Sequence, residues 1–138
     1  MLFAIFRKTS IKNNRVARRF RGFFLCAENS YYPWALREGS VYIAAGPVFK
    51  AGKRYAKIGQ EHPVAVPDGF FKVVLSLRKG AEKAIGFYYE NNSVKQPMEQ
   101  TAMSVDDVET LTGMDFFPAL DDDLETRLEA TFKLKEWR

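Results

Sequence analysis

Hydrophobic and polar positions change their spacing several times along the chain, and each change predicts an element. Between Asn13 and Phe24, Val16, Phe20, Phe23 and Phe24 recur at helical spacing opposite Arg15, Arg18, Arg19 and Arg21, which predicts an amphipathic basic helix. Asn29-Ser30 with Pro33 reads as a loop, and Trp34 to Gly39 as a short helical piece stopped by its glycine. Val41 to Ala45 is a nearly continuous apolar run ending at Gly46-Pro47, the pattern of a central strand buried on both faces.

From Phe49 to Pro67 the glycines and prolines predict turns around one short strand at Pro63 to Val66. Phe71, Val73, Leu75 and Leu77 then alternate with Lys72, Val74 and Ser76, so Lys72 is expected to face away from the main core. Ala84 to Tyr89 is the next strand, and the short Gly80-containing connection makes the two antiparallel neighbours. Ser104-Val-Asp-Asp107 supplies a helix N-cap with an acidic residue three positions on, and Gly113 supplies the stop. A last helix begins at Asp121 to Asp123, sets Leu124, Leu128 and Phe132 on one face, pairs Glu129 with Lys133 and ends in lysines that complement the helix dipole.

The fold class these elements predict is α+β. A mostly antiparallel central sheet is expected from the segments around Val41, Val64, Phe70 and Ala84, with the basic helix and the two C-terminal helices flanking it.

Composition narrows this picture. A chain of 138 residues with 46% hydrophobic content has enough apolar surface for one core without disulfides, and the single Cys26 has no partner for an internal bridge. The apolar start, Met1 to Phe6, is too short for the roughly 18 residues of a membrane span. It is also followed, not preceded, by Arg7 and Lys8, so the expectation is a soluble protein with no signal peptide in this sequence and no membrane partner. Charge is uneven. Residues 1–33 carry seven Lys/Arg against one Glu, and residues 103–138 carry four against ten acidic residues. The front is therefore the part whose field attracts a polyanion.

The ordered pieces Trp34-Ala35, Val41-Tyr-Ile43, Gly46-Pro-Val-Phe49, Ile58-Gly59, Val66-Pro67, Phe70-Phe-Lys-Val-Val-Leu75, Ala84-Ile-Gly-Phe87, Ser104-Val-Asp-Asp-Val-Glu109 and Thr112-Gly-Met-Asp-Phe-Phe-Pro118 resemble the C-terminal portion of a DNA/RNA non-specific endonuclease of the ββα-metal family. Order and spacing, more than any single piece, carry the likeness. The resemblance implies an incomplete ββα-metal (His-Me finger) nuclease fold, with residues 1–33 as a divergent basic N-terminal segment and 34–138 as the C-terminal part of the nuclease-like domain. It implies DNA or RNA as partner and Mg²⁺ as cofactor. Intact relatives of this kind are often secreted or periplasmic.

In that family the catalytic histidine belongs to an Asp-Arg-Gly-His segment and acts as general base, while an asparagine on the following long helix holds the metal. This sequence contains no Asp-Arg-Gly-His and one histidine, His62. Aligned without gaps, Asn13 falls on the metal-ligand position, Ala17 on the family's tryptophan, Phe20 on its apolar position and Arg21 on its glutamate. A guanidinium where a carboxylate should support a hydrated dication is repulsive. Asn13 reads better as an N-cap for the basic helix. Arg15, Arg18, Arg19 and Arg21 are the candidate phosphate contacts. Codons for Arg15 to Gly22 also exist that, read one nucleotide later, spell Gly-Trp-Arg-Asp-Asp-Phe-Glu, close to the family's helix.

Other constellations carry less. His62, between Glu61 and Pro63 in a turn-rich stretch, reads as a surface residue. Asp121 to Asp123 lack the ligand spacing and glycine of a calcium loop and read as helix N-terminal charge. The reading is a truncated or degenerate nuclease relative without catalytic residues of its own. The alternatives are a non-catalytic nucleic-acid binder using the basic helix, or a self-associating structural remnant that forms a homo-oligomer through an exposed sheet edge.

Overall fold

The structure is a computed structural model that describes residues 2–7, 33–94 and 96–137. Strand β1 (Leu2–Arg7) pairs antiparallel with β2 (Ser40–Val48), and helix α1 covers residues 33–38 just before β2. After β2 come a short β3 (Lys57–Ile58) and β4 (Val64–Ala65), then β5 (Gly69–Ser76) and β6 (Lys83–Glu90). Helix α2 (Met98–Thr101), β7 (Ala102–Met103), α3 (Val105–Thr112), α4 (Asp122–Glu129) and a 3₁₀ turn (Leu134–Trp137) complete the chain. The main sheet runs β1-β2-β5-β6-β7, antiparallel at every pairing. This is the α+β class the pattern predicts.

Both faces of this sheet are covered, which explains why its strands read as continuous apolar runs. On one face Ala44, Val48, Phe71, Val73, Leu75 and Ala84 pack with Val105 and Val108 of α3, Leu128 of α4 and Phe116. On the other, Val41, Ile43, Val74, Ile85 and Phe87 pack with Trp34 and Ala35 of α1 and with Trp137. The cross-strand register holds each set to one side: Ile43 is opposite Val74 and Val74 opposite Ile85, while Ala44 is opposite Val73. Lys72 lies on the Trp34 side, away from the α3 core as predicted, yet it is buried because that side has a core of its own.

Two local approaches fix the layers. A β-carbon on Gly86 would sit 2.5 Å from Val108 Cγ2 and 2.8 Å from the Ser104 carbonyl oxygen, so only glycine lets α3 lie this close to β6. Helix α3 opens on a reciprocal capping box, in which Asp107 N–H donates to Ser104 Oγ at 3.1 Å and Ser104 N–H to Asp107 Oδ2 at 3.3 Å. It ends at Gly113, whose φ of 67° is the left-handed conformation of a C-cap.

Four expectations need correction. The segment around Val64 is not in the main sheet; it pairs with β3 in a separate two-stranded ladder, Ile58 opposite Val64. Strand β2 continues through Gly46 and Pro47 to Val48. Leu77, expected in the core, lies just beyond the end of β5 and is exposed. The last helix stops at Glu129, so Phe132 lies beyond it and is exposed, and Lys133 pairs with Glu136 at 3.2 Å, not with Glu129. The basic helix expected over 13–24 lies outside the described residues. No helix among the described residues is long and apolar enough to cross a membrane.

Candidate functional site

Sequence-predicted site residues divide by position. Asn13, Arg15, Arg18, Arg19 and Arg21 lie outside the described residues, as does Cys26. His62 is exposed in the turn between β3 and β4, consistent with its reading as a surface residue. Asp121 to Asp123 are exposed at the start of α4, where Asp121 makes no side-chain cap hydrogen bond. The described residues bring together three polar constellations that the sequence reading did not assemble.

The first ties α1 to the β5–β6 hairpin. Glu38, at the end of α1, is buried, with Lys83 Nζ 2.9 Å from Oε1, Arg37 Nε at 3.5 Å, Arg78 Nη1 at 3.9 Å and the Ser76 hydroxyl donating at 3.3 Å. Lys83 also donates to the Glu136 carbonyl at 2.7 Å and lies 4.9 Å over the Trp137 ring, while Arg37 donates to the Trp137 carbonyl. Burial pushes the Glu38 carboxyl up, but Lys83, Ser76 and Arg78 outweigh it and leave it below its ordinary range. Charge and donors here are matched. The arrangement joins three elements and leaves no group free to react.

The second is a basic arm. Residues 50–57 carry Lys50, Lys53, Arg54 and Lys57 around Tyr55 with no acidic residue among them. All four cations are exposed. The arm is anchored at its base by Asp68, which accepts from Lys53 Nζ at 2.8 Å and from the Lys50 backbone N–H at 2.9 Å. The Tyr55 hydroxyl lies 2.6 Å from both Asp68 Oδ2 and the Lys50 carbonyl oxygen. Lys53, Tyr55 and the Lys50 amide hold the Asp68 carboxyl well below the usual carboxylate range. Phe49 stacks edge-on against Tyr55 with ring centroids 5.0 Å apart. An exposed run of cations beside aromatic rings suits phosphate and base contacts.

The third is acidic. Carboxylate oxygens of Asp106 and Glu109 on α3 and Glu129 on α4 lie within 4.8 Å of one another. They sit with the α3–α4 layer, on the sheet face opposite α1. Glu109 Oε1 accepts from the Phe116 backbone N–H at 2.7 Å, holding the loop in which Phe117 adopts a φ of 63° and Phe116 enters the core. Burial, reinforced by Glu109, Glu125, Asp106 and Asp115, pushes Glu129 up to about 7. The missed signal was the wrong end point for α4: extending the helix to Lys133 gave Glu129 a partner that it does not have.

The motif Ser104 to Pro118 thus folds as one device, with cap, stop and a glutamate that clamps the following loop. The family model for DNA/RNA non-specific endonuclease matches residues 13–123. The chain belongs to that family. The match extends upstream of Trp34, where the ordered pieces begin, and takes in the basic segment from Asn13. Among curated proteins, the mitochondrial nuclease EXOG of Xenopus laevis is 33% identical over 96 residues. That alignment covers 60% of this chain and 26% of the relative, so the chain spans about a quarter of that nuclease's length.

In this member of the nuclease family the matched motifs build strands β2, β5 and β6, the capping of α3 and the Glu109 clamp. The Mg²⁺ that the family implies would fall to Asn13, outside the described residues.

Proposed function

We propose that this polypeptide is a truncated or degenerate non-specific endonuclease relative that engages DNA or RNA through phosphate contacts and does not itself hydrolyse the phosphodiester. One observation carries the reading: the family's supporting motifs are present and build the sheet and α3, while the sequence has no Asp-Arg-Gly-His and its one histidine, His62, is exposed in the β3–β4 turn. A general base must lie within hydrogen-bond reach of the water it activates, in a site that also holds the metal. Glu61 is the one carboxylate next to His62 in sequence, and among the described residues His62 belongs to no cluster of potential metal ligands.

Binding rests on two basic surfaces. Residues 1–33 form the divergent basic segment ahead of 34–138, with Arg15, Arg18, Arg19 and Arg21 as its phosphate contacts; Lys50, Arg54 and Lys57 of the arm are a second set. Contacts of this kind ignore base identity. With Arg21 at the position that the resemblance gives to the supporting glutamate, Asn13 holds Mg²⁺ weakly or not at all. Exposed Ile58 and Val64, directly opposite each other on β3 and β4, favour a second reading in which copies associate through this apolar pair. A monomer at high concentration in a light-scattering measurement removes that second reading.

The test of the first is a salt series with a short duplex of arbitrary sequence. Four arginine–phosphate contacts give a log–log slope of about −3 to −4, with the arm cations adding to it. Replacing Lys50, Arg54 and Lys57 by alanine makes the slope shallower by about one unit for each cation that had met a phosphate. Undetectable or salt-independent binding overturns the proposal.

A further inference from the structure

We propose that Asp106, Glu109 and Glu129 form a binding site for a divalent cation of the calcium class, bridging α3 and α4. This site is independent of nucleic-acid binding and of the metal position implied for Asn13. Three carboxylates converge to within 4.8 Å, a spacing that one hard cation with oxygen ligands would span.

Convergence alone would be ordinary surface acidity; Glu129 makes it more than that. Its residue is only 6% exposed, and its Oε1 has no hydrogen-bond partner among the described residues. A buried carboxylate oxygen without a donor is among the least tolerated arrangements in a protein interior. Its described charged surroundings make matters worse, because Glu109, Glu125, Asp106 and Asp115 are the charges acting on it, all of the same sign. The contrast with Glu38, equally buried and met by Lys83, Ser76 and Arg78, shows how this fold satisfies a carboxylate when it uses side chains to do so.

Geometry fixes the division of labour. Glu109 Oε1 is engaged by the Phe116 amide, so Glu109 is held in place while its second oxygen remains for a ligand. Asp106 is exposed in the first turn of α3 and gives the site its opening to solvent. Glu129, from the last turn of α4, closes it from below. With three carboxylates and the remaining positions filled by water, the affinity falls in the weak range, on the order of 10⁻⁴ to 10⁻³ M.

The experiment is a ¹⁵N-amide titration of the whole chain with CaCl₂, followed by trace MnCl₂, comparing wild type with Glu129→Gln and with the control Asp121→Asn/Asp122→Asn. The expected result is saturable Ca²⁺ shifts confined to amides near 106–109, 116 and 129–130, selective Mn²⁺ broadening of the same amides, and retention of both in the control. Glu129→Gln, with its dispersed spectrum showing that it is folded, should weaken Ca²⁺ by at least about tenfold. Absence of saturable shifts at 10 mM Ca²⁺ (roughly ten times the weakest affinity in that range) overturns the site. So does an unchanged response in folded Glu129→Gln, or broadening centred on the α4 N-terminus or on Asn13 alone. Should Glu129→Gln not fold, Asp106→Asn, at an exposed position, carries the same comparison.

Discussion

Glu38 and Glu129 are two glutamates in one small domain, 7% and 6% exposed, placed in opposite electrostatic surroundings. Glu38 joins α1 to the β5–β6 hairpin with a lysine, two arginines and a serine within reach. Glu129 joins α4 to α3 with carboxylates for company and one oxygen unmatched. Equal burial therefore means different things. The first is a completed structural joint, and the second is an interaction left open for a cation or a proton. Burial locates a polar group that matters, and only the partner set tells whether it holds the fold or awaits something.

The largest effect should come from breaking the completed joint. Glu38→Ala leaves the half-buried Lys83 beside Trp137 without its counter-charge and should lower stability by about 3 kcal/mol, read from urea denaturation. A decrease below about 1 kcal/mol would mean that Lys83 escapes to water and the joint is ornamental. Next is the open group. In EDTA, Glu129→Gln should stabilise the chain by about 1–2 kcal/mol at pH 8, since it removes a charge with no partner. A destabilised variant would reveal a donor to Glu129 beyond the described residues.

The two glutamates should also divide by pH. Glu129 titrates at about 7 in the folded chain against an ordinary 4.5, so the folded state holds its proton more tightly. Its contribution to stability is full below 4.5 and is lost as pH rises through about 7. Glu38 lies below its ordinary value, so its contribution is present above 4.5 and fades as pH falls. Subtracting each variant's stability curve from that of the wild type should give slopes of opposite sign; slopes of the same sign would erase the distinction. A smaller effect should follow from Ser104→Ala, which removes the cap of α3 and should cost about 1 kcal/mol without altering the pH slope assigned to Glu38.

How much of this was legible in the sequence depended on whether a local rule governed it. The α3 helix was, because Ser104, Asp107 and Gly113 are cap and stop signals that act within a few residues. So were β2, β5 and β6, whose apolar runs are long and whose β5–β6 turn is short. Strand β1 was not, because a six-residue apolar start is equally the beginning of a leader or a strand, and only the pairing of Leu2 with Ala45 and Phe6 with Val41 decides. The second core around Trp34 and Trp137 depends on residues about a hundred positions apart, so alternation in β5 suggested one buried face where there are two. The Glu129 site was hidden by its own helix. Spacing alone ran α4 on to Lys133, and the early stop at Ala130 is what strands the carboxylate. The basic arm at 50–57 lies between the basic front and the acidic end, the two stretches whose charge was compared, and so was passed over.

The central claim is that this chain retains a nuclease's supporting framework and its affinity for nucleic acid without its hydrolysis. Supercoiled plasmid incubated with homogeneous protein in Mg²⁺, with and without EDTA, tests it most directly. The protein should retard the plasmid at low salt while nicking stays at the level of buffer. Nicking that EDTA abolishes, and that His62→Ala or Asn13→Ala removes from the purified chain, would contradict it.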